Sequence, residues 1–395
     1  MLTMWRAACV LVVVVVVRCY VAATAHSISS QAKVTTTPKK LLCHYNLQCP
    51  GQRPPPSLPL SALDPSLCTH IVISSAVVHN TTIQPCTPGH TEVYKEVVSL
   101  KRQHPKLQVM VRVEGNWTTL IQDAQAVAVF AYNTRKFLHT LNFDGLEVAW
   151  QPPMWPPWRH ATVQQVSLLL LQLNNALQLA SHPPFTLSMA VSASQDPIDH
   201  AYDVTIINRT VDFVSLASYD FHTYRSSLPF TGHGSPLKPQ KAEHGHWATL
   251  NTEWAVKHWL SKGLPREKLV VVIPTYANTW KLLSSSWIRV GAPAVGLGLM
   301  EGRMTHPQVC TFVQKGSAWH WDEASRVPYA WNSCDWISYE DESSVKEKAQ
   351  LVVAEGLAGV AVLDLNSDDW GGLCPEVTTF PLLRAAKDVL SRFGL

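Results

Sequence analysis

The sequence predicts an α/β protein built as a (β/α)8 (TIM) barrel, with a small α+β insertion between the seventh strand and the seventh helix. Three observations carry that reading. Eight short apolar runs, at 41–45, 70–78, 107–113, 143–150, 185–191, 211–218, 269–276 and 359–365, alternate with segments of helical period. No glycine-rich phosphate loop follows the first run, which argues against an open nucleotide-binding sheet. The connection after the seventh run, 277–342, is about 66 residues long, rich in Trp, Gly and Pro, and too long to lack structure.

The chain opens with Arg6, an apolar stretch at 7–17 and Ala23-Thr24-Ala25, the charged, hydrophobic and small-residue parts of a secretory signal peptide. We place that signal at 1–25. Its apolar stretch falls short of the ~20 residues of a membrane span, so no membrane attachment is expected after cleavage. Residues 26–40 are polar and Thr-rich and read as a flexible lead. The barrel then occupies 41–276 and 343–395, with helical patterns at 91–104, 124–139, 163–181, 251–261, 343–355 and 380–393. The insertion at 277–342 is expected on the C-terminal face of the barrel, where such folds place their sites.

Composition narrows the class. The formal charge of +3 falls to +1 when Arg6 and Arg18 leave with the signal (3 − 2), and no Lys/Arg cluster remains to hold nucleic acid. Of nine cysteines, Cys9 and Cys19 leave too, and Cys43, Cys49, Cys68, Cys86, Cys310, Cys334 and Cys374 remain. An oxidising compartment would pair most of them, and the odd number leaves one thiol over. Asn-X-Thr acceptors at Asn80, Asn116 and Asn208 fit the same secreted, extracellular destination. A monomer is expected. Fifteen Trp could stack on sugar faces, although most Trp in any protein are packing residues. His222, His233, His244 and His246 follow the sixth run without further ligands at metal-binding spacing, so they read as a solvated loop, and no metal or cofactor is expected.

The fourth run holds the chemistry. In Phe143-Asp-Gly-Leu-Glu-Val-Ala-Trp-Gln151, Leu146, Val148 and Trp150 point to one face of the strand, while Glu147, Ala149 and Gln151 point to the other, with Gln151 at the mouth. A buried Glu147 must be paired or hydrogen-bonded. Gln151 has no titratable proton, and Ala149 has no polar side chain at all.

That segment resembles the Phe-Asp-Gly-hydrophobic-Asp-hydrophobic-Asp-Trp-Glu signature of family 18 glycoside hydrolases, the chitinases, and its Ala-Trp-Gln ending is most similar to the imaginal disc growth factors. The likeness extends through Asp64-Pro-Ser-Leu-Cys68, Val211-Asp-Phe-Val214, Tyr219-Asp220, Lys268 to Tyr276, Val327-Pro-Tyr-Ala330, Trp336 to Glu342 and Asp368-Asp369. In family 18 the substrate's own acetamido oxygen attacks the anomeric carbon while the last Glu of the signature protonates the leaving group. The resemblance therefore implies a degenerate set, Asp144, Glu147, Ala149 and Gln151, with the acid replaced by Gln151 and the orienting Asp by Ala149. It implies sugar-binding roles for Tyr45, Trp150, Tyr219, Asp220, Tyr276 and Trp336, and disulfides Cys43–Cys68 and Cys310–Cys374. Cys49–Cys86 is added because both flank the first two strands, which leaves Cys334.

Two departures stand out. Leu363 replaces the Trp that floors the central subsite, and Arg112-Val-Glu-Gly-Asn-Trp117 replaces Ser-X-Gly-Gly-Trp. The function expected is a secreted chitinase-like protein without hydrolase activity, binding chitin oligosaccharide or another glycan, acting as a growth-factor-like signal at a cell-surface receptor, or both. The alternatives are a weak family 18 chitinase using Asp220 or Glu147 as its acid, and a protein-binding scaffold whose cleft is closed by Leu363 and a glycan on Asn116.

Overall fold

The computed structural model describes residues 38–51, 57–115, 117–150, 160–179, 184–375 and 377–395. The expected signal peptide, Asn116 and Gln151 lie outside the described residues. Strands β1 (Lys40–Asn46), β2 (His70–His79), β3 (Thr82–Pro85), β4 (Gln108–Glu114), β5 (Gly145–Val148), β6 (Thr186–Ser192), β7 (Phe213–Ala217) and β8 (Leu269–Pro274) are followed by six strands of a second sheet. These are β9 (Ala277–Leu282), β10 (Ala294–Leu297), β11 (Arg303–Met304), β12 (Ala318–Asp322), β13 (Val327–Asn332) and β14 (Asp335–Ser338), before β15 (Gly359–Leu363) returns to the first. The first sheet runs β1-β15-β8-β7-β6-β5-β4-β2, and β1 pairs with β2 to close it, so all of these neighbours are parallel and the sheet is a barrel. β3 folds back as a hairpin on β2.

Strand alternation sorts the side chains. Leu42, Val72, Met110, Phe213, Val270, Val272 and Ala361 form a small cluster inside the barrel, while Leu41, Cys43, Ile71, Ile73, Val109 and Val111 face the surrounding helices and join the larger core. Where β5 begins, the Asp144 carboxylate accepts the Val109 N–H at 2.7 Å and the Lys101 ammonium at 2.9 Å, which anchors the strand. Gly145 follows because any Cβ there would stand 2.4 Å from the Thr186 carbonyl oxygen.

Helices begin and end where the local chemistry satisfies their backbone. Asp123 caps Ala124–Leu141 and Asn142 closes it in the left-handed region at φ 57°. Asp341 caps Glu342–Ala354 through a reciprocal bond with Ser344. Among the described residues, no helix is long and apolar enough to cross a membrane.

The expected strands all form, with shifted ends. β5 stops at Val148, and Lys40 belongs to β1 rather than to a flexible lead, its N–H bonded to the Ala358 carbonyl at 2.9 Å. β3 and the short helices Trp117–Ile121, Gln195–His200 and Val204–Thr210 had no expectation, because segments of this length hold too few periods to read. Residues 277–338 form the second sheet, ordered β10-β9-β14-β13-β12 with β11 on β9. It is antiparallel throughout and packs Trp280, Tyr329 and Trp336 on one face.

Disulfides join Cys43 to Cys68, Cys49 to Cys86 and Cys310 to Cys374, and Cys334 is a half-buried thiol. The loop histidines correct the expectation of a solvated loop. His233 is buried against the second sheet, 3.0 Å from Asp322 Oδ2, with its ring tilted against Tyr329 and Trp336, while His244 and His246 are exposed. Among the described residues the one grouping of soft metal-type ligands is His306 with Cys310 and Cys374, and those two cysteines are spent on each other.

Candidate functional site

β4 and β5 run in register with Arg112 opposite Glu147, and both side chains enter the barrel. The Arg112 Nη1 donates to Glu147 Oε2 at 2.8 Å, its Nε donates to Glu114 Oε1 at 2.8 Å, and the Ser215 hydroxyl donates to Glu147 Oε1 at 2.6 Å. Burial alone would push the Glu147 carboxyl up. The guanidinium of Arg112, with His44 and the Ser215 bond, overrides burial and holds it below the ordinary carboxylate range. Glu147 is therefore an anion locked to a cation, with no proton to donate at neutral pH. Beside it His44 is fully buried, neither ring nitrogen has a partner among the described residues, and burial pushes the imidazole down to about 4.

Ala149 stands one layer above. Its N–H bonds the Val113 carbonyl at 3.0 Å, its own carbonyl accepts the Trp117 indole N–H at 3.1 Å, and its side chain is a methyl group. No carboxylate stands between the ion pair and the mouth on this strand.

At the mouth the chain leaving β7 presents Tyr219 and Asp220, and the chain leaving β8 presents Tyr276 and Asn278. Asp220 sits in the left-handed region at φ 54°. Its Oδ1 accepts the Asn278 side-chain amide at 3.0 Å, and its Oδ2 accepts Arg303 Nη2 at 2.8 Å. The Arg303 guanidinium lies 3.8 Å over the Tyr276 ring. A small cavity is lined by Tyr276 together with Gly234, Pro274, Asn278 and Ser338. Burial raises the Tyr219 phenol, opposed by the positive charge of Arg112 below it. Leu363 ends β15 half-buried against the inner cluster, and the next residue, Asp364, is tied to Asn46, Ser367 and Thr275.

Three of the six expected sugar-binding residues, Tyr219, Asp220 and Tyr276, thus converge. The other three do not. Tyr45 faces the helices and donates its hydroxyl to the Leu58 carbonyl at 3.1 Å. Trp150 is also on the outer face, edge-on to Tyr202 with ring centres 5.7 Å apart. Trp336 is fully buried in the second sheet, donating to the Ile288 carbonyl at 2.9 Å. Asp144 lies at the opposite end of β5 from the mouth and serves the backbone there. Of the acceptor asparagines, Asn80 is exposed in the β2–β3 turn and Asn208 is half-buried in Val204–Thr210.

Arg303 and Asn278 were not expected. Their partner Asp220 lies 83 and 58 residues away, and no local pattern marks them.

The profile of "Glycosyl hydrolases family 18" matches residues 40–368. Chitotriosidase-1 of Mus musculus is 32% identical over 345 residues, covering 83% of this chain and 73% of that protein. Chitinase-3-like protein 2 of Homo sapiens is 30% identical over 364 residues, covering 88% and 92%. The solved structure of human YKL-39, described as a pseudo-chitinase with retained chitooligosaccharide binding properties, superposes with a TM-score of 0.82 at 29% identity, covering 89% of this chain and 100% of that one. The parallel closed barrel, its polar mouth and these matches agree that the chain belongs to family 18 of the glycosyl hydrolases.

Proposed function

We propose that this family 18 protein is a secreted, non-hydrolysing member that holds N-acetylglucosamine oligomers at its barrel mouth, of the imaginal disc growth factor type, and signals through the bound state at a cell surface. One observation carries the reading. The ladder that would have to supply a proton consists of Gln151, Ala149 and an ionised Glu147 clamped by Arg112. General acid catalysis contributes ~10²- to 10⁴-fold, so a ladder without an acid leaves binding but little turnover.

Support for binding is of two kinds. Tyr219, Asp220 and Tyr276 stand together at the mouth, and the related human YKL-39 is described as retaining chitooligosaccharide binding. The signal-like start of the sequence and three disulfides support secretion. The weak-chitinase reading loses ground because both substitute acids it would use, Asp220 and Glu147, are paired with arginines.

The test is a pair of measurements on the purified protein. Isothermal titration with chitotetraose should give saturable binding, and a fluorogenic chitotrioside should release no dye above buffer. Absence of heat would favour the protein-binding scaffold, and dye release would favour the weak chitinase.

A further inference from the structure

The mouth carries a second arginine paired with a carboxylate. β11 pairs with β9 so that Arg303 stands opposite Asn278, and both side chains reach Asp220, one on each carboxylate oxygen. The backbone is bent to bring Arg303 there. Met300, Glu301 and Gly302 are successive left-handed residues at φ 52°, 55° and 92°, and two of them have side chains that disfavour that region. From this position the guanidinium also lies over the Tyr276 ring, 3.8 Å from its centre, and Tyr276 is only 5% exposed.

Those contacts use the groups a sugar would need. An N-acetyl sugar offers neutral O–H and N–H donors, and a carboxylate prefers the charge-assisted, planar donors of a guanidinium. A pyranose ring stacks on an aromatic face, and the face of Tyr276 that Arg303 covers is not open to one. We propose that Arg303 is the residue that sets glycan affinity at this mouth. It acts as an internal clasp that occupies Asp220 and Tyr276, and a neutral N-acetylated oligosaccharide must displace it to bind. This inference rests on the reading that such oligosaccharides bind here.

The pair is partly exposed, 42% for Arg303 and 29% for Asp220, which leaves the clasp within reach of a ligand at the mouth. Titration of chitotetraose into the unaltered protein, Arg303→Ala and Arg303→Lys tests it, with melting temperatures recorded for all three. Arg303→Ala should bind at least about 10-fold more tightly than the parent. Arg303→Lys should fall between them, because it keeps a charge for Asp220 but loses the guanidinium contact with Tyr276. Weaker binding by Arg303→Ala would make Arg303 a ligand contact, and equal binding would make it a bystander; either result overturns the clasp while leaving the proposed function standing. Failure of all three proteins to bind would overturn both.

Discussion

The barrel floor and the barrel mouth each hold an arginine bonded to a carboxylate at 2.8 Å, yet the two pairs do different work. Arg112 and Glu147 are 8% and 0% exposed, while Arg303 and Asp220 are 42% and 29% exposed. Two charges taken fully out of water are tolerated only together, so the floor pair is structural and inert. Two charges at the surface are held loosely and remain open to competition. The same contact therefore seals the site at one level and gates it at the next.

The largest effect expected from breaking this contrast is on stability. Arg112→Leu leaves Glu147 buried without its cation and should cost about 3–5 kcal/mol in urea unfolding at neutral pH, whereas Arg112→Met with Glu147→Leu should recover most of that loss. A single variant as stable as the parent would remove the floor pair from the account. Arg303→Ala, by contrast, should cost no more than about 1 kcal/mol, its effect appearing in binding.

Acid sensitivity sharpens the comparison further, because His44 beside the floor pair carries part of it. His44 is held at about 4 against 6.5 for the free side chain, so the unfolded chain takes up its proton first and stability falls as pH drops from about 6.5 to 4. His44 alone accounts for up to about 3 kcal/mol of that fall, and His70 and His222, also pushed down to about 4 by burial, act in the same direction. Glu147 is lowered instead, so its contribution is present above the unfolded carboxylate range and is lost only as pH falls through its depressed folded value. Unfolding followed between pH 7 and 4.5 should therefore steepen in acid for the parent and flatten for His44→Phe. An unchanged slope in that variant would place the acid sensitivity elsewhere.

The barrel was legible because each of its strands is a short apolar run with a turn at either end, and because the second sheet appears as one over-long connection. The floor was half legible. Glu147, Ala149 and Gln151 share a strand face by parity alone, and Arg112 was visible as a departure from the resemblance, but the ion pair between them depends on the β4–β5 register. The same parity put Trp150 beside Leu146 and Val148 on the outer face, where the structure finds it; assigning it to sugar on its aromatic character overrode that argument. Tyr45 and Trp336 failed for the same reason, since a ring fits a core as well as a sugar. The mouth was least legible, because Asp220, Asn278 and Arg303 meet only through the packing of the second sheet beside β7 and β8.

Binding without cutting at this family 18 mouth is the central proposal. Its most direct test is prolonged incubation of the unaltered protein with chitotetraose at a concentration that saturates the calorimetric titration, followed by mass spectrometry of the sugar. Intact tetramer bound to the protein is the expected result. Accumulation of dimer or monomer, in proportion to protein and time, would contradict it.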